Sequence, residues 1–274
     1  MLASSVSSLI MTADIYAFAA PAAHGLPPLL GNRCRVNLVK EPPGDSPPND
    51  HHLTCCTSWP RSGNSAGVAC WNGQGISIQC CGHGLLSCAS VWMERWGGNG
   101  HLIMSGTQVD CRKQGQLTWL GFPPAIIEEQ SCPGWITALL GVSVSGCATI
   151  GGEDGYLIVQ LSQDSDLSLL SAPDAGMAKM TRRALIVTCE ATRLDKAYDE
   201  DIHFRYFAPQ YGEPEDSATG SAMRLLASYW YNRGLGRHLR ALQRSARGGL
   251  LASTLAEGTT WVGGLTLRED EVSA

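Results

Sequence analysis

Two segments roughly half a chain apart are built alike, and a chain carrying one unit twice is constrained to fold as two similar halves. The later segment runs Arg205-Tyr-Phe-Ala-Pro209, passes Glu215 and Asp216, turns at Thr219-Gly-Ser-Ala222 and continues as an apolar stretch from Met223 to Trp230. The earlier one is Cys81-Gly-His-Gly-Leu-Leu-Ser-Cys-Ala-Ser-Val-Trp92. Counted from Gly82 and Gly220, Ala89 matches Ala227, Ser90 matches Ser228 and Trp92 matches Trp230 at equal offsets. Each copy reads as a strand, a glycine turn and a helix. The unpaired first-turn N–H groups and the positive dipole end of a helix attract anions. Each copy therefore offers a carboxylate a docking point beside a proton-transfer group, His83 in the first and Asp216 in the second. Two such helix starts across a cleft are expected to hold a small polar molecule.

The chain has 274 residues, enough for two domains of about 120 to 140 residues, each with its own core. At 44% hydrophobic, 16% charged and a net charge of −5, it offers no electrostatic case for nucleic acid. Arginines do gather late, at Arg233, Arg237, Arg240, Arg244 and Arg247, and read as a solvated face with one or two facing a ligand. Eleven cysteines, including the adjacent pairs Cys55-Cys56 and Cys80-Cys81 and no Cys-x-x-Cys spacing, suit reduced thiols in a cytoplasm better than a disulfide framework or a zinc site. The first ten residues lack a basic region and a long apolar core, so they make a poor signal peptide. No apolar run approaches the roughly 20 residues needed to span a bilayer.

Strand-like runs recur at Ile15–Ala19, Cys34–Lys40, Ile76–Cys80, His101–Ser105, Gln116–Phe122, Leu157–Leu161, Ala184–Thr188, His203–Phe207 and Trp261–Leu267. Helices are expected after the two glycine turns. A third is expected over Asn232–Arg244, where Leu235, Leu239 and Leu242 keep helical spacing although Gly234 and Gly236 weaken its start. Residues 40–52, rich in proline and turn formers, read as a surface loop, and Phe122-Pro-Pro124 as the start of a crossover between halves. The expected division is an extension over 1–12, a first half over 13–122 and a second over 123–274.

The chain resembles the phenazine-biosynthesis isomerase-like (PhzF-like) family, which shares its fold with diaminopimelate epimerase and proline racemase. The resemblance rests on Arg205, Phe207-Ala-Pro209, Glu215-Asp216, Thr219-Gly-Ser-Ala222, Gln243, Ser245 and Arg247-Gly-Gly249. In the first half it rests on Gly31-Asn32, Cys81-Gly-His83 and Leu120-Gly-Phe-Pro-Pro124. It implies an α+β fold of two barrel-like domains, each wrapping a central helix, with an active site in the cleft between them. It also implies an isomerase without cofactor or metal that shifts a proton and a double bond in a small carboxylated, unsaturated metabolite, of the kind met in antibiotic-type biosynthesis. The expected partner is that small substrate, with no nucleic acid and no membrane; homodimerisation is open.

Residue by residue, the resemblance makes His83 and Asp216 site residues, whereas each read alone is a helix cap or interface packing. Gly82, Gly220 and Ser221 become the donors that grip a carboxylate. Arg205 and Arg247 either pair with further anionic groups or tie strands together. Members of the family carry a Glu-Thr-Ala-Phe-like segment whose glutamate moves the proton; here that segment aligns with Asn64-Ser-Ala-Gly-Val68, and an asparagine is no general base. Three replacements are open: Cys81, in the Cys-Gly-His-Gly setting where proline racemases place a thiolate; a His83–Asp216 pair; or Asp50, His51 or His52 from the loop. Ser217 stands where a second thiol would be, which argues against a two-base racemase. The rival readings are a binding protein that kept the site and lost the base, and a Cys81-dependent epimerase.

Overall fold

In the computed structural model, residues 9–23, 26–44, 53–163, 165–173, 176–191, 198–212 and 214–272 are described. They form two compact units, and neither unit is a continuous stretch of chain. The first comprises 1–19, 30–122 and 263–274, the second 20–29 and 123–262. The expected single cut between 122 and 123 is thus one of four, because the chain visits the second unit briefly at 20–29 and returns to the first at 263. Leu9–Thr12, expected in an unstructured extension, are the opening residues of the first strand.

The first unit holds β1 (Leu9–Ala19), β2 (Asn32–Val39), β3 (Thr54–Pro60), β4 (Ser65–Trp71), the short β5 (Ser77–Ile78), helix α1 (Gly82–Trp96), β6 (Gly100–Met104), β7 (Thr107–Gln114) and β8 (Leu117–Phe122). The second holds β9 (Glu128–Gln130), α2 (Gly134–Leu140), β10 (Val144–Ile150), β11 (Tyr156–Leu161), α3 (Met177–Met180), β12 (Ala184–Glu190), β13 (Ile202–Phe207), α4 (Gly220–Tyr231), β14 (His238–Gln243) and β15 (Gly249–Ala256). A long final strand, β16 (Thr259–Arg268), starts in the second unit and ends in the first, and α5 (Glu269–Val272) follows it.

In the first unit the strand order is β1-β2-β3-β4-β6-β7-β8-β16, and β16 pairs back onto β1 through Ile15↔Arg268 and Tyr16↔Leu267. Eight strands therefore close on themselves, which leaves no open edge. Helix α1 packs against β1, β2, β3, β4, β6, β7 and β8. It is buried along most of its length, from Gly84 to Met93 with the exception of Ser90. Ser90 instead hydrogen-bonds Thr266 of β16 at 2.7 Å.

The duplication read from the glycine turns reappears in the strand pairings. From β1 to β7 the pairs run antiparallel, parallel, antiparallel, parallel, antiparallel. From β10 to β15 the same alternation recurs. In each unit the second parallel pair, β4–β6 or β13–β14, is joined through the long helix, as parallel neighbours require a crossover. The fold is α+β, with two similar halves each built around one helix.

Two expectations fail here for physical reasons. Asn232–Arg244 is not a helix: Gly234 and Gly236 adopt φ of 91° and 94°, and the chain leaves α4 to form β14. His238–Gln243 then alternates exposed and buried residues at its start, so of the leucines counted at helical spacing Leu239 and Leu242 fall on opposite faces of a strand and Leu235 in the turn before it. Cysteines are not all reduced either. Cys56 and Cys70 lie opposite each other on β3 and β4 and form a disulfide, a pairing of strands that spacing along the chain does not reveal.

One buried ion pair fixes the second unit near β13. Glu200 is fully buried, with His203 Nε2 at 3.0 Å from one carboxylate oxygen and the Tyr198 N–H donating at 2.8 Å to the other. Burial pushes this carboxyl up, but the His203 ring and the backbone N–H groups outweigh it and hold its pKa at about 2. A carboxyl depressed in the folded state stabilises the fold above its unfolded value, about 4.3. That contribution is lost as pH falls from there to about 2. Acid titration followed by circular dichroism is expected to show Glu200→Gln less stable at neutral pH, by about 3 kcal/mol, and with a flatter decline of stability across that window. An unchanged acid profile would contradict this account.

Candidate functional site

The start of α1 is shaped by small residues. Cys81 is the extended residue before the helix, at φ −137° and ψ 99°, and its side chain makes no capping hydrogen bond. No described group accepts from the N–H of Gly82, which stays open as first-turn donors do. Gly84 is required by close approach. A Cβ there would stand 2.5 Å from Cys56 Sγ, 2.9 Å from Cys81 Sγ and 3.1 Å from Cys70 Sγ. The first turn of α1 thus rests on the β3–β4 disulfide.

His83 is half-buried and held from β2. Asn32 Nδ2 lies 3.3 Å from His83 Nδ1. With the amide nitrogen as donor, Nδ1 accepts and the ring proton sits on Nε2. Asn32 is itself fixed by Gly31, whose φ is +55° and whose Cβ, if it had one, would strike Ala17 O on β1 at 2.0 Å. Cys81 Sγ is 3.7 Å from both ring nitrogens. A sulfur equidistant from the two cannot lie along either nitrogen's lone pair, so it sits against the ring and no directed proton path joins them.

Asn64 is elsewhere. It lies exposed in the turn between β3 and β4, where Arg61 N–H bonds Ser65 O, and its own carbonyl accepts from His101 N–H at 3.0 Å. That turn packs beside Gly100 and the Trp92 ring, near the C-terminal end of α1. Six residue steps along β4, roughly 20 Å of strand, separate Asn64 from Cys70 under the helix start. Asn64, aligned with the family glutamate, therefore lies toward the opposite end of β4 from the strand residues beneath the helix start. The strand residues that meet the first turn of α1 come from the other ends of β3 and β4. Neither strand carries an acid or a histidine. Asp50, His51 and His52 lie outside the described residues.

The start of α4 is a network of satisfied polar groups. Asp216 accepts from Thr219 Oγ at 2.6 Å. Gln243, buried on β14, accepts from Thr219 N–H at 2.6 Å and donates to the Asp216 carbonyl at 2.6 Å. Ser245 Oγ donates to Ser217 O at 2.7 Å. These bonds pin the turn from residue 216 to 219 against β14. Among the described residues none accepts from the N–H groups of Gly220 and Ser221.

Glu215 and Arg205 are tied together. The guanidinium forms a two-pronged pair with the Glu215 carboxylate, both contacts 2.7 Å, and donates to the carbonyls of Leu167, at 3.0 Å, and Leu170. Of the two readings open for Arg205, strand-tying holds. Arg247 is exposed. Asn32, Thr219 and Gln243 are the supporting residues that sequence reading gave no role; all three stood within the quoted motifs, but only the contacts of the folded chain show what they hold. His83, Cys81 and Gly82 are brought together at α1, and Asp216, Gly220 and Ser221 at α4.

The structure and its relatives agree on the class. A crystal structure of a phenazine biosynthesis protein PhzF-family member from Enterococcus faecalis superposes with a TM-score of 0.78 at 22% identity, covering 94% of this chain and 96% of that one. Residues 138–260 match the family described as phenazine biosynthesis-like protein. A Rattus norvegicus phenazine biosynthesis-like domain-containing protein is 38% identical over 106 residues, 36% of this chain and 37% of the rat protein. A Pseudomonas aeruginosa protein described as an uncharacterized isomerase is 28% identical over 185 residues, 66% of this chain and 67% of that protein. The two-halved, helix-centred fold is thus the one seen in the solved PhzF-family structure. The likeness to phenazine biosynthesis-like proteins is carried in sequence by residues 138–260 and in fold by nearly the whole chain.

If Gly84 is what lets α1 seat on the disulfide, Gly84→Ala should lower stability by about 1–3 kcal/mol, although alanine is the better helix former. Urea denaturation monitored by tryptophan fluorescence measures this, and an unchanged or raised midpoint would show that the helix start has room to spare.

Proposed function

We propose that this protein is an isomerase that moves a proton and a double bond within a small unsaturated carboxylic acid. The observation that carries the reading is the repeated strand order that places a helix start with open N–H groups in each half, one beside His83 and the other beside Asp216. A proton shift of this kind needs a base, a hydrogen-bond donor and a fixed substrate.

The hydrogen bonds support the following roles. His83, accepting from Asn32 at Nδ1, presents Nε2–H as a donor to a substrate carboxylate or to the oxygen that gains charge when it becomes a dienolate. Asp216 supplies the base. Its carboxylate takes the proton from a carbon conjugated to the substrate carboxylate, the π electrons move along, and the same proton returns to the far carbon. No atom is gained or lost. Gly82, Gly220 and Ser221 contribute backbone donors to the anionic end. The place in antibiotic-type metabolism rests on family resemblance.

A second reading has an observation behind it. β3 and β4 carry no acid beneath α1, so a protein that binds its ligand without turning it over fits the first half equally well. Proton exchange separates the two. A panel of small unsaturated carboxylic acids is incubated with the protein in heavy water and followed by proton NMR. One acid is expected to gain carbon-bound deuterium or to shift its double bond. Asp216→Asn should slow this by about 10²–10⁴-fold and His83→Ala by about 10²–10³-fold, while Asn64→Ala keeps the parent rate. An acid that raises the melting temperature yet never exchanges would establish the binding protein instead.

A further inference from the structure

Three cysteine sulfurs converge under the first turn of α1. Cys56 and Cys70 Sγ, joined across β3 and β4, and Cys81 Sγ all lie within 3.1 Å of the point where a Gly84 Cβ would stand. The absent side chain of Gly84 is what lets a free thiol neighbour a disulfide there. The other buried thiols of this region are set apart. Cys55 alternates with Cys56 along β3 and faces the other way. Cys34 and Cys88 are fully buried, and burial pushes both thiols well up, so they stay protonated. Cys81 instead sits at the helix start, uncapped and against the His83 ring.

We propose that Cys81 is an exchanging thiol for the Cys56–Cys70 disulfide, so that the bridge moves between a strand–strand form and a form tying α1 to β3. In the step, the Cys81 sulfur gives up its proton and attacks Cys56 Sγ; the Cys81–Cys56 bond forms as the Cys56–Cys70 bond breaks, and Cys70 leaves as a thiolate that takes up a proton. One disulfide and one thiol stand on each side, so neither oxidant nor reductant is consumed. The proton lost at Cys81 is matched by the one taken up at Cys70, so the exchange leaves the protonation of the protein unchanged overall. In the exchanged form Cys81 is drawn toward β3 and away from His83, so the surroundings of that histidine depend on which bridge is present. The inference needs no substrate and stands apart from the isomerase reading.

The test maps bridges in the full-length protein. Native protein held at about pH 8, where thiols exchange, is quenched in acid, blocked with N-ethylmaleimide and digested without reductant for mass spectrometry. Cys56–Cys70 is expected as the main linked peptide, accompanied by a Cys56–Cys81 peptide that disappears in Cys81→Ser. In Cys70→Ser exposed to oxidised glutathione, Cys56–Cys81 is expected as the majority product. Recovery of Cys81 only as the maleimide or glutathione adduct, in the native protein as in the variant, overturns the proposal. Should Cys70→Ser fail to fold, the native arm decides alone.

Discussion

A helix that runs inside a closed ring of strands has no solvent side, and this constraint governs the first unit. Its start must fit the space that the strands leave, and every side chain near it must be small or satisfied. At the first turn the chain meets the limit with Gly84, which lies against three sulfurs. Farther along, Ser90 finds a hydroxyl on β16. The position of His83 follows from these fits: its own turn is set by Gly84 below, and its ring by Asn32 from β2. A donor located by packing on one side and a hydrogen bond on the other keeps its orientation without reorganising when a ligand arrives, which is what preorganised stabilisation requires.

The second unit solves the same problem with polar groups. Where α1 rests on sulfur, the turn before α4 is held by Gln243, Thr219 and Ser245, whose hydrogen bonds satisfy buried backbone and side-chain groups together. Arg205 and Glu215 take the charged positions out of play by pairing with each other, and the guanidinium also serves two carbonyls of the segment beside it. Asp216, beside this pair, is oriented by its bond from Thr219. Two halves of one duplication have therefore diverged in chemistry while keeping the same strand alternation, a sulfur-backed histidine in one and a hydrogen-bonded carboxylate in the other.

Much of this was legible in the chain. Gly82 and Gly220 announced the two helix starts at the residues where α1 and α4 begin, because a glycine turn before an apolar helical run has few other conformations open to it. Strands rich in branched apolar residues, such as Leu157–Leu161 and Ala184–Thr188, were equally plain. β3 was not, since cysteine, serine and threonine dominate it, and neither were β4 and β15, where alanine and other small residues interrupt the branched apolar ones; their strand character comes from neighbours rather than from propensity. Asn64 went astray for a related reason: a linear alignment carried across β3 and β4 has no means of telling the two ends of a hairpin apart, and those ends sit at opposite ends of α1.

By itself the sequence determined the duplication, the helix starts and the types of residue available there, since these depend on local backbone preference and on what glycine permits. Tertiary structure alone decided which groups meet. The Cys56–Cys70 bridge, the Asn32–His83 contact and the Gln243 clamp each join residues brought together by strand pairing, and pairing is fixed by the burial of whole faces rather than by any signal carried in the residues that end up touching.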